Sequence, residues 1–129
     1  MRVLNYIRGE FVEPESDFWM DNFSPSSGEV IGSIPLSGER DVDNAVMAAV
    51  EALPHWSSLR PLERAEWLER IADCLESKFE EIARLESLDT GKPISLSRSV
   101  DAKRSVSNFR FFSGMIRDLE EEVFEMEDA

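Results

Sequence analysis

Three amphipathic helical stripes that follow one another without a buried strand pattern between or after them constrain this chain most. Val42, Ala45, Val46, Ala49, Val50 and Leu53 recur at helical spacing, and Pro54 is expected to stop that first helix. A second helix is expected to open at Pro61, with Glu63 near its positive end, and to run to about Leu88. Its stripe is Leu68, Ile71, Ala72, Leu75, Phe79 and Ile82. A third starts near Pro93 and presents Val100, Val106, Phe109, Phe112 and Ile116. Nothing after Ile34 reads as a buried parallel strand, so no central βαβ unit is expected.

The first 36 residues read differently. In "NYIRGEFV" apolar residues flank Arg8-Gly9, which predicts a short hairpin with Gly9 at positive φ. In "FSPSSGEVIGSIP" a turn over 25–28 precedes a strand through Val30, Gly32 and Ile34, ended by Pro35. The fold class is therefore α+β: two N-terminal β-hairpins, then three amphipathic helices. The strand edges of such small hairpins are expected to stay open.

Charge and composition narrow the function classes. The chain has 129 residues, one cysteine and a net charge of −13. Asp118 to Ala129 holds seven acidic residues and no basic one, which reads as a solvated terminus. An acidic surface repels phosphate backbones, so no nucleic-acid partner is expected. No apolar run approaches the roughly 18 residues that span a bilayer, so no membrane partner is expected either. A single cysteine forms no internal disulfide, and the cytoplasm is the expected compartment.

The stretch "LESLDTGKP" looks at first like a phosphate loop. Such a loop needs a glycine five residues upstream and a Ser or Thr after the lysine, but Glu86 and Pro93 stand there. It reads instead as the junction of helices two and three: Gly91 in a left-handed cap, Pro93 opening the next helix, Lys92 offsetting the helix C-terminus. Asp89, beside this turn, can either bond backbone amides or ligate a hard cation. Cys74 lies inside the second helix between Asp73 and Leu75 and is expected to be buried or inert. His55 has no second histidine or cysteine beside it, so a surface or packing role is expected. Phe109, Phe111 and Phe112 are expected to pack in the core.

Four pieces, "NFSPSSGEVIGSIP", "DVDNAVMAAVEALPHW", "RPLERAEWLERIADCLE" and "LESLDTGKPIS", resemble in order the N-terminal region of aldehyde dehydrogenases. "RSVSNFRFF" and "FEME" look most like the branch of that family acting on 2-hydroxy- or 2-aminomuconic semialdehydes. The resemblance covers essentially the whole chain. It implies NAD-dependent oxidation of an aldehyde to an acid through a covalent intermediate on a cysteine. In the family the oxyanion donor, nicotinamide-binding strands, base and nucleophile arise further downstream. Cys74 does not match that nucleophile, so no catalytic and no NAD-binding residue is assigned here.

The resemblance thus implies an N-terminal segment rather than a complete domain. Residues 1–36 would form the hairpins, and 37–129 the helical part of the cofactor domain in the family's α/β fold. It also implies a structural monovalent cation: Asp89 matches the ligand of the "LDTGKP" turn, and Phe23, with Asn22 beside it, matches a carbonyl ligand. A further ligand would lie outside this chain. Expected partners are the remainder of the enzyme or a homologous subunit, with self-association of the isolated chain. Two other readings stay open, a non-catalytic interaction module and a truncated remnant.

Overall fold

The computed structural model describes residues 1–118. Most of the acidic terminus and the "FEME" stretch therefore lie outside the described residues. Strands β1 (Asn5–Ile7) and β2 (Glu10–Val12) form the first hairpin, and β3 (Trp19–Phe23) and β4 (Val30–Pro35) the second. Helices α1 (Glu39–Ser58), α2 (Pro61–Ser77) and α3 (Phe79–Thr90) follow. A single turn α4 (Ile94–Leu96) then runs through a π-helical segment, Ser97–Ala102, into α5 (Lys103–Asp118).

The first turn is tighter than the glycine alone implies. Arg8 and Gly9 both have positive φ, 56° and 84°, the pairing a two-residue hairpin demands to match strand twist. One expectation fails at the second hairpin. The outer edge of β4 is not open, because Val3 N–H donates to Ser33 O and Ser33 N–H donates to Met1 O, each at 2.9 Å. Gly32 makes this possible, since a Cβ there would collide with the Met1 carbonyl.

Helix α1 departs from its sequence reading in two ways. Pro54 lies inside it rather than ending it. Proline removes the bond to the carbonyl four residues back and crowds it, and Val50 is 62% exposed, so the break falls on the open side of the helix. Its apolar stripe is also uncovered: Val42, Val46 and Leu53 are 57%, 57% and 56% exposed. The one buried residue of α1 is Asp41, which accepts from Gly38 N–H at 2.8 Å and Glu15 N–H at 3.0 Å. That carboxylate caps the helix and ties it to the loop before β3.

The expected second helix is two helices. At Lys78 (φ −108°, ψ 15°) the chain steps out of helical geometry, with Lys78 N–H donating to Leu75 O at 3.1 Å. Ser77 Oγ donates to Cys74 O at 2.7 Å, competing for the backbone where the helix breaks. The start is as the sequence implies: Pro61 opens α2, and Glu63 reaches back to accept from Arg60 N–H at 2.8 Å.

The packed centre is the pair α2 and α5, together with α3 against the π-helical segment. Its buried apolar residues are small: Ala65, Ala72, Ala83, Ala102 and Val106. Ser113 is fully buried and donates to Ala65 O at 3.0 Å. Arg110 lies within 3.5 Å of Glu69 and bonds Asp73 at 3.1 Å and Glu76 at 2.6 Å, which bridges the two helices. The large apolar residues stay at the edges. Phe111 and Phe112 are 61% and 54% exposed, packed edge to face on each other and not in the core. Cys74 is exposed, so its expected burial does not hold.

Gly91 caps α3 with φ 73°, and a Cβ there would stand 3.1 Å from Pro25 Cβ. Gly91→Val is therefore expected to cost about 1–2 kcal/mol or more, from the left-handed backbone alone. Lys92→Ala should lower the melting temperature far less, and equal shifts for the two variants would contradict this account of the turn.

With so many half-exposed valines, leucines and phenylalanines, the isolated chain is expected to associate. Each large side chain left out of an apolar contact forgoes about 1.5–3 kcal/mol. Salt screens the opposing repulsion beyond about 8–10 Å, so light scattering should rise with ionic strength. A cooperatively melting monomer at both low and high salt would refute this.

Candidate functional site

Two of the residues singled out in the sequence, Asn22 and Asp89, meet at one corner, where the end of α3 reaches the second hairpin. The register of β3 and β4 shifts between Asn22 and Phe23: Asn22 faces Gly32, and Phe23 faces Val30. Such a bulge bends the strand and re-aims its side chains. Beyond it, Ser24 N–H donates to Glu29 O at 2.9 Å and Gly28 N–H to Ser24 O at 2.8 Å, closing the turn against Gly91.

Asp89 is not in a loop, as its neighbour Gly91 suggested, but in the last turn of α3. A carboxylate there adds to the negative end of the helix dipole and needs a donor or a cation to offset it. Asn22 Nδ2 donates to Asp89 Oδ1 at 2.6 Å. Among the described residues no backbone amide bonds Asp89, so the capping alternative is not what the structure shows. Asn22 is half-buried, and Phe23, at the end of β3, is exposed by 54%. Asn22 and Asp89 border an open cleft of about 460 Å³ lined also by Met1, Ile31, Leu85 and Glu86, and Phe23 is not part of it.

Lys92 stands next to this corner and does more than complement a helix end. Its Nζ donates to Glu86 Oε1 at 2.9 Å and to Asp101 Oδ2 at 3.0 Å, joining α3 to the π-helical segment. Ser87 Oγ donates to Lys92 O at 2.6 Å and Gly91 N–H to Ser87 O at 3.0 Å, so the turn is held from both sides. The Glu86 hydrogen bond, with Asp101 second, raises the Lys92 pKa above the ordinary lysine value. Neither the Asn22–Asp89 pair nor the Lys92–Asp101 pair could be read from the sequence. The first joins residues 67 apart, and the second depends on the π-helical register.

The one carboxylate at this corner, Asp89, has the Asn22 side-chain amide as its hydrogen-bond partner. Among the described residues no group of three or more His, Cys, Asp or Glu could hold a metal ion, His55 included. A wider groove of about 630 Å³ lies between the first hairpin and α1. Its charged lining residues, Arg8 and Glu51, neutralise each other at 2.7 and 2.8 Å.

The Lys92 bridge sets a testable pH dependence. Because the folded-state pKa is raised, its stabilisation is complete below the unfolded lysine value of about 10.5 and is lost as pH rises through the folded value. The melting difference between the wild type and Lys92→Met should be flat from pH 6 to 9 and shrink only in the alkaline range above. A difference that vanished already near neutrality would remove the bridge.

Comparison with known proteins places this geometry. The aldehyde dehydrogenase family model matches residues 11–129. The 2-aminomuconic semialdehyde dehydrogenase of Bos taurus is 46% identical over 112 residues, which is 87% of this chain and 23% of that enzyme. The 2-hydroxymuconic semialdehyde dehydrogenase of Pseudomonas sp. (strain CF600) is 38% identical over 96% of this chain and 26% of its own length. The crystal structure of PnpE from Pseudomonas sp. WBC-3 superposes with a TM-score of 0.91 at 41% identity, over 98% of this chain and 26% of that one. A second PnpE structure, in complex with nicotinamide adenine dinucleotide, matches equally well. This chain spans about a quarter of the length of these relatives. With a matching family model over almost its whole length and the matching architecture, the chain belongs to the aldehyde dehydrogenase family.

Proposed function

We propose that this chain supplies the N-terminal segment of an NAD-dependent enzyme that oxidises an aldehyde of the muconic semialdehyde class to a carboxylic acid. The observation that carries the reading is the superposition of 98% of the chain on only 26% of an NAD-bound relative. The named activities of the 38–48% identical relatives support the substrate class.

The segment's own contribution is support. The four strands form two antiparallel hairpins, and among the described residues no βαβ crossover offers a helix N-terminus to a dinucleotide. The NAD site is read as belonging to the rest of the enzyme. Residues 37–129 are read as the helical flank of the cofactor domain, with the uncovered face of α1 docking on that remainder. Asp89, with the carbonyls of Phe23 and Asn22, is read as part of a monovalent cation site that the remainder completes. Bound there, the cation would neutralise the Asp89 carboxylate at the negative end of α3 and pin the second hairpin to the helix. The cytoplasm is the proposed compartment; among the described residues no helix is long and apolar enough to cross a membrane.

The 129-residue chain alone is expected to form no NADH from an aldehyde and to show no saturable NAD binding by calorimetry. Joined to the downstream three quarters of a muconic semialdehyde dehydrogenase, it should give aldehyde-dependent NADH formation. Activity of the chain alone, or a folded chimera without activity, would overturn the reading.

A further inference from the structure

Residues 1–3 lie along the outer edge of β4 and are held there by three backbone bonds. Met1 N donates to Ile31 O at 2.8 Å, Ser33 N–H to Met1 O and Val3 N–H to Ser33 O, the last two at 2.9 Å. Arg2 and Ser33 form a parallel bridge, so the segment acts as a third strand of that sheet. Gly32 lets it come this close, since a Cβ there would collide with the Met1 carbonyl. Arg2 then fastens it sideways. Its guanidinium lies 3.9 Å from the centre of the Trp19 ring and donates to Glu13 Oε2 at 2.7 Å. Met1 is 71% and Val3 39% exposed, so little apolar burial adds to these contacts and the segment has low local stability.

Ser33 turns both its N–H and its carbonyl away from β3, toward this segment. Such a residue can exchange both bonds with an identical residue across a two-fold axis, as the hydrogen-bonded pair of an antiparallel ladder. The edge beneath residues 1–3 is therefore complementary to itself. Pro35, the next residue on that side, has no N–H, so the edge stops there and three residues are enough to cover it. We propose that residues 1–3 are a strap that closes β4 against a second copy of this chain. With the strap lifted, Ser33 of two copies pair, and the hairpins join as one sheet in the order β3-β4-β4-β3. Both copies must open for that. A strap closed about ten times more often than open then weakens dimerisation about a hundredfold.

Sedimentation equilibrium of the full 129-residue chain at low ionic strength, with Ser33 amide exchange followed by NMR, tests the strap. In the wild type the Ser33 amide should be equally protected at low and high protein concentration, because its partner lies in the same chain. Gly32→Val ejects the strap. Its Ser33 amide should exchange fast when dilute and slowly when concentrated, and association should strengthen about a hundredfold. Arg2→Ala, which leaves β4 untouched, should move both readouts the same way by a smaller factor. Ser33→Pro added to Gly32→Val removes the edge donor and should return association to the wild-type level. Far-UV circular dichroism checks that each variant keeps its helices, and if Gly32→Val loses them, Arg2→Ala decides. Association unchanged from the wild type in the folded strap variants would overturn the proposal. So would a gain that survives Ser33→Pro, which would put the contact on another surface.

Discussion

Close contact between α2 and α5 is what the rest of the chain hangs on. Two helices approach closely only where the residues between them are small, and here Ala65, Ala72 and Ser113 lie at the contact. The Ser113 hydroxyl spends its proton on the Ala65 carbonyl, so the one polar group in the seam is satisfied. Arg110 adds three carboxylates of α2 on the outside. Exposed pairs of this kind contribute little energy, but they select one register.

That seam explains why the buried centre holds alanines and serines while the large apolar residues lie at the rim. The helices form a layer, and a layer has two faces. One face of α2 and α5 is closed by the pair itself. Leu62, Trp67, Phe111 and Phe112 remain exposed, as does nearly the whole stripe of α1. The relatives that this chain matches are about four times as long.

Around its end, α3 is tied to the second hairpin and to the π-helical segment by polar contacts and backbone geometry. Lys92 joins Glu86 to Asp101, Asn22 joins β3 to Asp89, and Gly91 lets the chain turn where Pro25 leaves no room for a side chain. Each of these contacts is polar or sterically tight, and together they place the one carboxylate of the site at a helix terminus. A helix end that carries a negative side chain is locally unfavourable, and the Asn22 amide donates to that carboxylate.

Sequence by itself determined the local features: the Arg8-Gly9 hairpin, the start of α2 at Pro61, the left-handed Gly91 and the family to which these pieces belong. Those depend on φ preferences and capping chemistry within a few residues. Helical periodicity gave the stripes but not which of them is covered, because a stripe records a face and not its partner. So α1 stays bare, Phe111 and Phe112 lie outside, and Cys74 is exposed. Pro54 inside α1 and the break at Lys78 also went against expectation, since one lost or diverted hydrogen bond is tolerated where water reaches the backbone. Only the tertiary structure brought Asn22 to Asp89 and Lys92 to Asp101. Such pairs are set by a bulge, a π-helical turn and a glycine contact acting together, and no spacing along the chain encodes their sum.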